Sequence, residues 1–312
     1  MRKFFITLAC SFFGFSNAQE VKTISSLEGI EKTLKFLTAD ERKGREPGTP
    51  EMEQAMAYLE QIFIDYQVKP YYSSYRDRIG NYDKPSFNIV GVIEGIDPVL
   101  KNEIVVIGAH YDHIGMSSLL NGDAIANGAN DNAVGTTAVT ELVKYFAKAK
   151  NNKRTIVFAL FTAEEKGLLG SYHMAEQMQK AHKDIYFMFN FEMIGVPMKN
   201  KEMLVYMTGI TKSNMAKKMN DYAGEKWVGY IPVESHYQLF KHSDNYPFYK
   251  TCNIPAHTIS TFDFENYEFY HHVDDEYEKM DIKHMQQVID KSILALEQMI
   301  NAPTKEIQLD GK

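Results

Sequence analysis

Cysteine is nearly missing from this chain of 312 residues, which carries only Cys10 and Cys252. If the first residues are removed as argued below, Cys252 stands alone, no internal disulfide can form, and stability must come from an ordinary core. Beyond the amino-terminal segment no apolar run is long enough to cross a bilayer, so a stable membrane span is not expected. Basic residues are fewer than acidic ones, 34 Lys and Arg against 41 Asp and Glu. An acidic balance of this kind argues against nucleic acid as a partner. Internal repeats and low-complexity tracts are also absent. The remaining composition, 44% hydrophobic and 24% charged, suits one globular α/β domain.

Residues 1–18, MRKFFITLACSFFGFSNA, combine two basic residues, a short apolar core and the small-x-small triplet Ser16-Asn17-Ala18. This is the pattern of a secretory signal peptide. Cleavage before Gln19 would leave a catalytic domain of residues 19–312, secreted or periplasmic, and removing Arg2 and Lys3 moves the formal charge from -7 to -9. Cys10 raises a lipoprotein reading, which Thr7-Leu8-Ala9 argues against as a poor approach to a lipidated cysteine.

Hydrophobic periodicity divides the rest. Helical spacing runs from Ile24 to Leu37, with Ser25 or Ser26 as N-cap, and again from Met52 to Ile64. Asp40 to Pro50 between them reads as an ordered loop. Strands are expected at Val68–Arg76, Phe87–Ile93, a run from Ile104 through Ile107 that ends on His110 and Asp112, Arg154–Phe161, Ile185–Phe191, Met203–Met207 and Ile254–Ile259. Helices are expected at Thr136–Ala149, through Leu168 to Ala175, and at Ile282–Ile300. Strands alternating with helices imply a single α/β domain, a mainly parallel (mixed) central sheet with helices on both faces.

The recurring event is that strands end on side chains able to bind metal or move protons. Ile104-Val105-Val106-Ile107 leads to His110 and Asp112, and Asp131 sits in Asn-Asp-Asn-Ala-Val-Gly just before a helix. Glu164 and Glu165 follow the strand ending at Phe161, and Glu192 follows Phe191, while His271 and His272 precede the last helix. Imidazoles and carboxylates with few thiols suit zinc or a similar divalent ion. One zinc needs three protein ligands and a water, so this supply exceeds what one ion requires; two ions about 3.5–4 Å apart would use it. Neighbouring side chains on an extended segment point apart, so Glu164 and Glu165 can serve different ends.

These residues fall into a joint pattern: Gly-Arg-Glu-Pro-Gly-Thr from Gly44, Asn-Ile-Val-Gly-Val-Ile-Glu-Gly from Asn88, Gly-Ala-His-Tyr-Asp-His from Gly108, Ala-Asn-Asp-Asn-Ala-x-Gly from Ala129, Ala-Glu-Glu-x-Gly-Leu-x-Gly-Ser from Ala163, and Tyr270-His271. In that order the chain resembles the co-catalytic di-zinc exopeptidases of the bacterial leucyl aminopeptidase type, which have glutamate carboxypeptidase-like and glutaminyl-cyclase-like relatives. The resemblance implies a zinc-dependent aminopeptidase acting on peptide substrates with two Zn²⁺ ions. By motif, His110 and Glu192 would hold one ion, Glu165 and His271 the other, and Asp131 would bridge them. Asp112 would back up the liganding histidine. Glu164 would take the proton of the bridging water, and Tyr270 would steady the oxyanion. The Asp131–Asn132 peptide bond is often cis in such enzymes.

Glu192 stands where the family more often has aspartate, which leaves the substrate class more open than the metal site. Tyr-His preceding Asp275 favours His271 over His272, and His113, His173, His182, His236, His242, His257 and His284 read as surface or packing residues. The rivals within the same fold are a carboxypeptidase and a glutaminyl cyclase. A binding protein that has lost its ligands is a third reading, opposed by five filled ligand positions.

Overall fold

The computed structural model describes residues 24–311, so the expected leader lies outside the described residues. Helix α1 (Leu27–Leu37) opens with the Ser26 side chain accepting from Gly29 N, and α2 (Pro50–Asp65) with Thr49 accepting from Met52 N ahead of a proline at its first position. There follow β1 (Lys69–Pro70), β2 (Arg76–Arg78), β3 (Phe87–Ile93), β4 (Ile104–His110), β5 (Gly115–Leu120), β6 (Asp123–Ala126), α3 (Val134–Ala149), β7 (Thr155–Phe161), α4 (Leu169–Lys180) and β8 (Ile185–Phe191). The carboxyl-terminal part comprises β9 (Val205–Met207), α5 (Met215–Ala223), β10 (Val228–Gly229), α6 (Pro232–His236), α7 (Asn245–Cys252), β11 (Ala256–Ser260) and α8 (Ile282–Asn301).

Among the described residues, nine strands form one mixed sheet in the order β1-β3-β7-β4-β8-β11-β9-β10, with β2 also paired to β3. Its centre, β7-β4-β8-β11, is parallel, and antiparallel strands close both sides. The central strands β4, β7 and β8 are buried along their whole lengths because helices cover both faces. Val105, Ile107 and Ala109 pack towards α1, α2, α3, α5 and α8, whereas Ile104 and Val106 pack with Met174, Met178 and Phe248 of α4 and α7. The two-residue alternation of a strand thus feeds two cores from one segment.

Helices α5, α6 and α7 have no counterpart in the sequence reading, and two further stretches differ from it. Val68–Arg76 is not one strand: Lys69–Pro70 and Arg76–Arg78 pair with β3, Tyr71 N donates to Val90 O and Tyr75 O accepts from Val90 N, and the residues between bulge out, with Tyr75 donating its hydroxyl hydrogen to Val68 O. The polar stretch after His113 is a hairpin, β5–β6, turned by Asn121 and Gly122, both at positive φ. Asn-Gly is the dipeptide that such a tight hairpin favours.

Candidate metal centre

Parallel pairing sets the site. His110 is the last residue of β4 and lies opposite Phe161 at the end of β7, while Gly108 pairs with Asn190 of β8. Three adjacent strands therefore stop at one edge, and the residues that follow them, Glu164, Glu165 and Glu192, leave from the same line as His110. Ligand sites in open α/β sheets lie outside this carboxyl edge.

Asp131 stands at the middle. Its Oδ1 lies 3.4 Å from His110 Nε2, and that nitrogen is 3.3 Å from Glu192 Oε1. Its Oδ2 lies 3.2 Å from His271 Nε2, which is 3.0 Å from Glu165 Oε2. One carboxylate thus divides its two oxygens between two donor sets.

The loops that carry these groups are held from a distance. Arg45 is fully buried and donates to the carbonyls of Leu37, Tyr111, Asn127 and Gly128, tying the segment after β4 to the one before Asp131. The Asp275 carboxylate accepts from the backbone N–H groups of Asn130 and Asp131 and from the Tyr267 hydroxyl. Asn132 donates to Phe191 O and accepts from Gly135 N and Met193 N, joining the loop before α3 to the end of β8. A Cβ at Gly135 would fall 2.3 Å from Asn132 Oδ1, so this close approach requires glycine. The Asp131–Asn132 bond is cis. Ser243, ahead of α7, donates to Glu192 Oε2 and accepts from Asn190 Nδ2.

The electrostatics are those of an acidic cavity short of cations. Burial, reinforced by the neighbouring carboxylates of Asp244, Glu192 and Glu165, pushes the Glu164 carboxyl well above its usual range, and burial likewise raises Glu192. Asp112 and Asp244, both wholly buried, are pushed up to about 7, again chiefly by burial. For the histidines burial acts downward but loses to the acids: His271 rises to about 10 beside Asp131 and Glu165, and His110 is also raised. Burial would raise Glu165 too, yet His113 and His271 hold it below the usual carboxylate range.

Several buried polar atoms here lack hydrogen-bond partners: both ring nitrogens of His113, His271 Nε2, Glu165 Oε1 and Asp112 Oδ2. Unsatisfied donors and acceptors in so dense a cluster need an explanation. The ligand atoms group as His110, Asp131 and Glu192 on one side and His113, Asp131, Glu165 and His271 on the other, each set within 4.8 Å. Nitrogen and carboxylate donors without sulfur fit zinc.

The structure brings together His110, Asp131, Glu165, Glu192 and His271, with Glu164 lining the same cavity. His272 turns away, accepting at Nδ1 from Asp274 N. Asp112 lies behind His110, but His110 Nδ1 is nearer the Asp112 carbonyl, 3.2 Å, than its carboxylate, 3.8 Å. The Asp112 Oδ1 accepts from Glu164 N, so this carboxylate steadies the Glu164 segment. Tyr270 stacks on His271 with ring centroids 3.9 Å apart and lines the cavity. His113, read from sequence as a surface or packing residue, is instead buried with Nδ1 2.9 Å from Glu165 Oε1. Ser243 and the wall formed by Leu239, Phe262 and Phe264 were also missed.

An open α/β sheet that gathers histidines and carboxylates around one shared aspartate at its carboxyl edge defines a candidate metal centre. The chain belongs to peptidase family M28, whose family model matches residues 88–295. It is 28% identical over 227 residues to aminopeptidase YwaD of Bacillus subtilis (strain 168), covering 72% of this chain and 47% of that protein. It is 26% identical over 195 residues to a probable leucine aminopeptidase of Arthroderma otae, covering 60% of this chain and 50% of that protein. The chain spans about half the length of these curated relatives. Among solved structures, Legionella pneumophila LapA aminopeptidase superposes with a TM-score of 0.68 at 21% identity, over 92% of this chain and 76% of that one. Porphyromonas gingivalis glutaminyl cyclase gives 0.68 at 14% identity, over 89% and 99%. At these identities the likeness establishes the fold.

Proposed function

We propose that this protein is a zinc-dependent aminopeptidase that holds two ions and removes residues from the free amino end of peptides. The observation that carries the reading is the division of Asp131, one oxygen facing His110 and Glu192, the other facing His271 and Glu165. Bound zinc would supply the Lewis acidity that makes water nucleophilic near neutral pH and polarises the scissile carbonyl. His110 and Glu192 would hold one ion, Glu165 and His271 the other, with Asp131 between. Glu164 would accept the proton of the attacking water and return it to the departing amine. Tyr270, stacked on His271 at the cavity wall, would donate to the developing oxyanion.

Substrate polarity follows from the walls. The residues lining the cavity include Asp131, Glu164, Glu165 and Glu192 but no lysine or arginine. Such a lining favours a peptide's ammonium group and offers no strong cation to a terminal carboxylate, which weighs against a carboxypeptidase. Met193, Tyr206, Leu239, Phe262 and Phe264 give the remaining wall an apolar character suited to an apolar side chain. Two filled donor sets weigh against a single-zinc glutaminyl cyclase. The leader pattern of residues 1–18 supports export of a catalytic unit of residues 19–312, which amino-terminal sequencing of the mature protein would check. Among the described residues no helix is long and apolar enough to cross a membrane.

The test is hydrolysis of a panel of free, amino-blocked and glutaminyl aminoacyl substrates, with and without chelator. Chelator-sensitive release from free-amine substrates alone is expected. Cleavage of blocked peptides, or cyclisation of the glutaminyl substrate, would overturn the reading.

A further inference from the structure

We propose that His113 is itself a metal ligand, giving the Glu165 side of the centre four protein donors against three on the Glu192 side and making it the tighter of the two. The proposal rests on the two-ion reading above and extends it to a residue outside the five matched by motif.

His113 follows His110 by three residues, beyond the end of β4, where nothing in a strand pattern dictates its direction. Its backbone N–H donates to Arg45 O, which turns the side chain inward, and its ring is fully buried. The ring packs against Gly128, where a Cβ would come within 2.5 Å of His113 Cγ, so the space for this imidazole is made by a glycine at positive φ. His113 Nδ1 then lies 2.9 Å from Glu165 Oε1 and 3.7 Å from Asp131 Oδ2, with the His271 ring 5.6 Å away centroid to centroid.

The plainer reading is an imidazole hydrogen-bonded to Glu165. Against it, neither His113 nitrogen nor Glu165 Oε1 meets hydrogen-bond geometry with any partner, despite the short separation. His271 Nε2 is in the same position. Side chains that approach closely yet aim past one another converge on a common point between them, which is how ligands around a cation are arranged. His113, Asp131, Glu165 and His271 each contribute one such atom. Among the described residues, His110, Asp131 and Glu192 alone do so on the Glu192 side. Zinc with four protein donors is held as in closed sites, whereas three donors leave a position open to solvent or substrate. The open position therefore lies at the His110 and Glu192 side.

The test is zinc binding, read apart from turnover. Metal-stripped mature protein is titrated with zinc against a chromophoric chelator, alongside His113→Gln and His110→Gln, with circular dichroism of the metal-free forms checking the fold. Wild type should take up two ions in two steps. His113→Gln should weaken the tighter step by more than about 100-fold, beyond the loss typical of an outer partner, and His110→Gln should weaken the looser one. X-ray absorption of wild type carrying one equivalent of zinc needs no variant, and should count two imidazoles around the first ion. One imidazole, or a tighter step that His113→Gln leaves unchanged while two ions still bind, overturns the role of His113 and leaves the two-ion reading standing. Uptake of a single ion at saturation overturns both.

Discussion

The two sides of the acidic cavity are built by different means. At the Glu192 side, His110 and Glu192 stand at the ends of β4 and β8, which pair directly in parallel. Their spacing is inherited from the hydrogen-bond ladder. At the Glu165 side no donor stands at a strand end: Glu165 lies four residues past β7 and His113 three residues past β4. His113 and His271 sit in loops, and His271 adopts a positive φ of 56° with its side chain 35% exposed. Arg45 and Asp275 brace the loop that carries the shared Asp131, and the Arg45 carbonyl also accepts from His113 N on this side. A ladder places side chains by backbone pairing alone, whereas loop donors need buried polar clamps to order them.

The largest expected effect erases the difference between the sides. Asp131→Ala removes the one donor they share, and zinc content measured by atomic emission should fall towards zero together with turnover. Glu164→Gln should separate chemistry from binding: kcat falls by about 10²- to 10⁴-fold while zinc content holds, as for a side chain that would move a proton without ligating. A near-normal rate would place the base elsewhere. Tyr270→Phe should lower kcat by about 10²-fold with KM little changed, as removal of one oxyanion donor does. If KM rises instead at constant kcat, the ring serves only as cavity wall.

The comparison sharpens with Arg45→Met. Four carbonyls would lose a buried donor, and denaturant unfolding should report a loss of about 3 kcal/mol or more. Zinc should be weakened more at the loop-built side than at the ladder-built one. The smallest effect lies outside the cavity. Burial lowers His257 to about 4, outweighing its bond to the Thr208 carbonyl. The unfolded chain therefore binds this proton more readily, so the contribution of the neutral imidazole is full above about pH 6.5 and is lost as pH falls towards about 4. In metal-free protein, His257→Asn should flatten the decline of melting temperature across that window; an unchanged slope would assign the acid sensitivity to other groups.

Legibility in the sequence follows the same division. Phe87–Ile93 and Ile185–Phe191 coincide with β3 and β8, and the run from Ile104 begins β4, because unbroken apolar runs have few ways to be buried. Val68–Arg76 failed because Tyr71 N donates to Val90 O while Val90 N donates to Tyr75 O, so one residue of β3 serves both and the residues between them bulge out of the ladder. The Asn121-Gly122 hairpin had a signal in its turn dipeptide that the short polar stretch around it obscured. Ser243 and Leu239 reach the cavity from segments on either side of a short turn that no periodicity marks.

His113 illustrates the limit most directly. Histidine three residues past a strand end reads equally as surface, core or ligand, and its inward turn depends on the Arg45 carbonyl, 68 positions earlier, and on the gap at Gly128. By itself, the order of residues determined which strands are buried, which side chains they deliver to one edge, and that these suit a divalent metal, since short-range pattern and donor chemistry are written locally. Only the tertiary structure decided which histidines face inward and how the donors divide around Asp131, because those depend on buried hydrogen bonds between segments far apart in the chain.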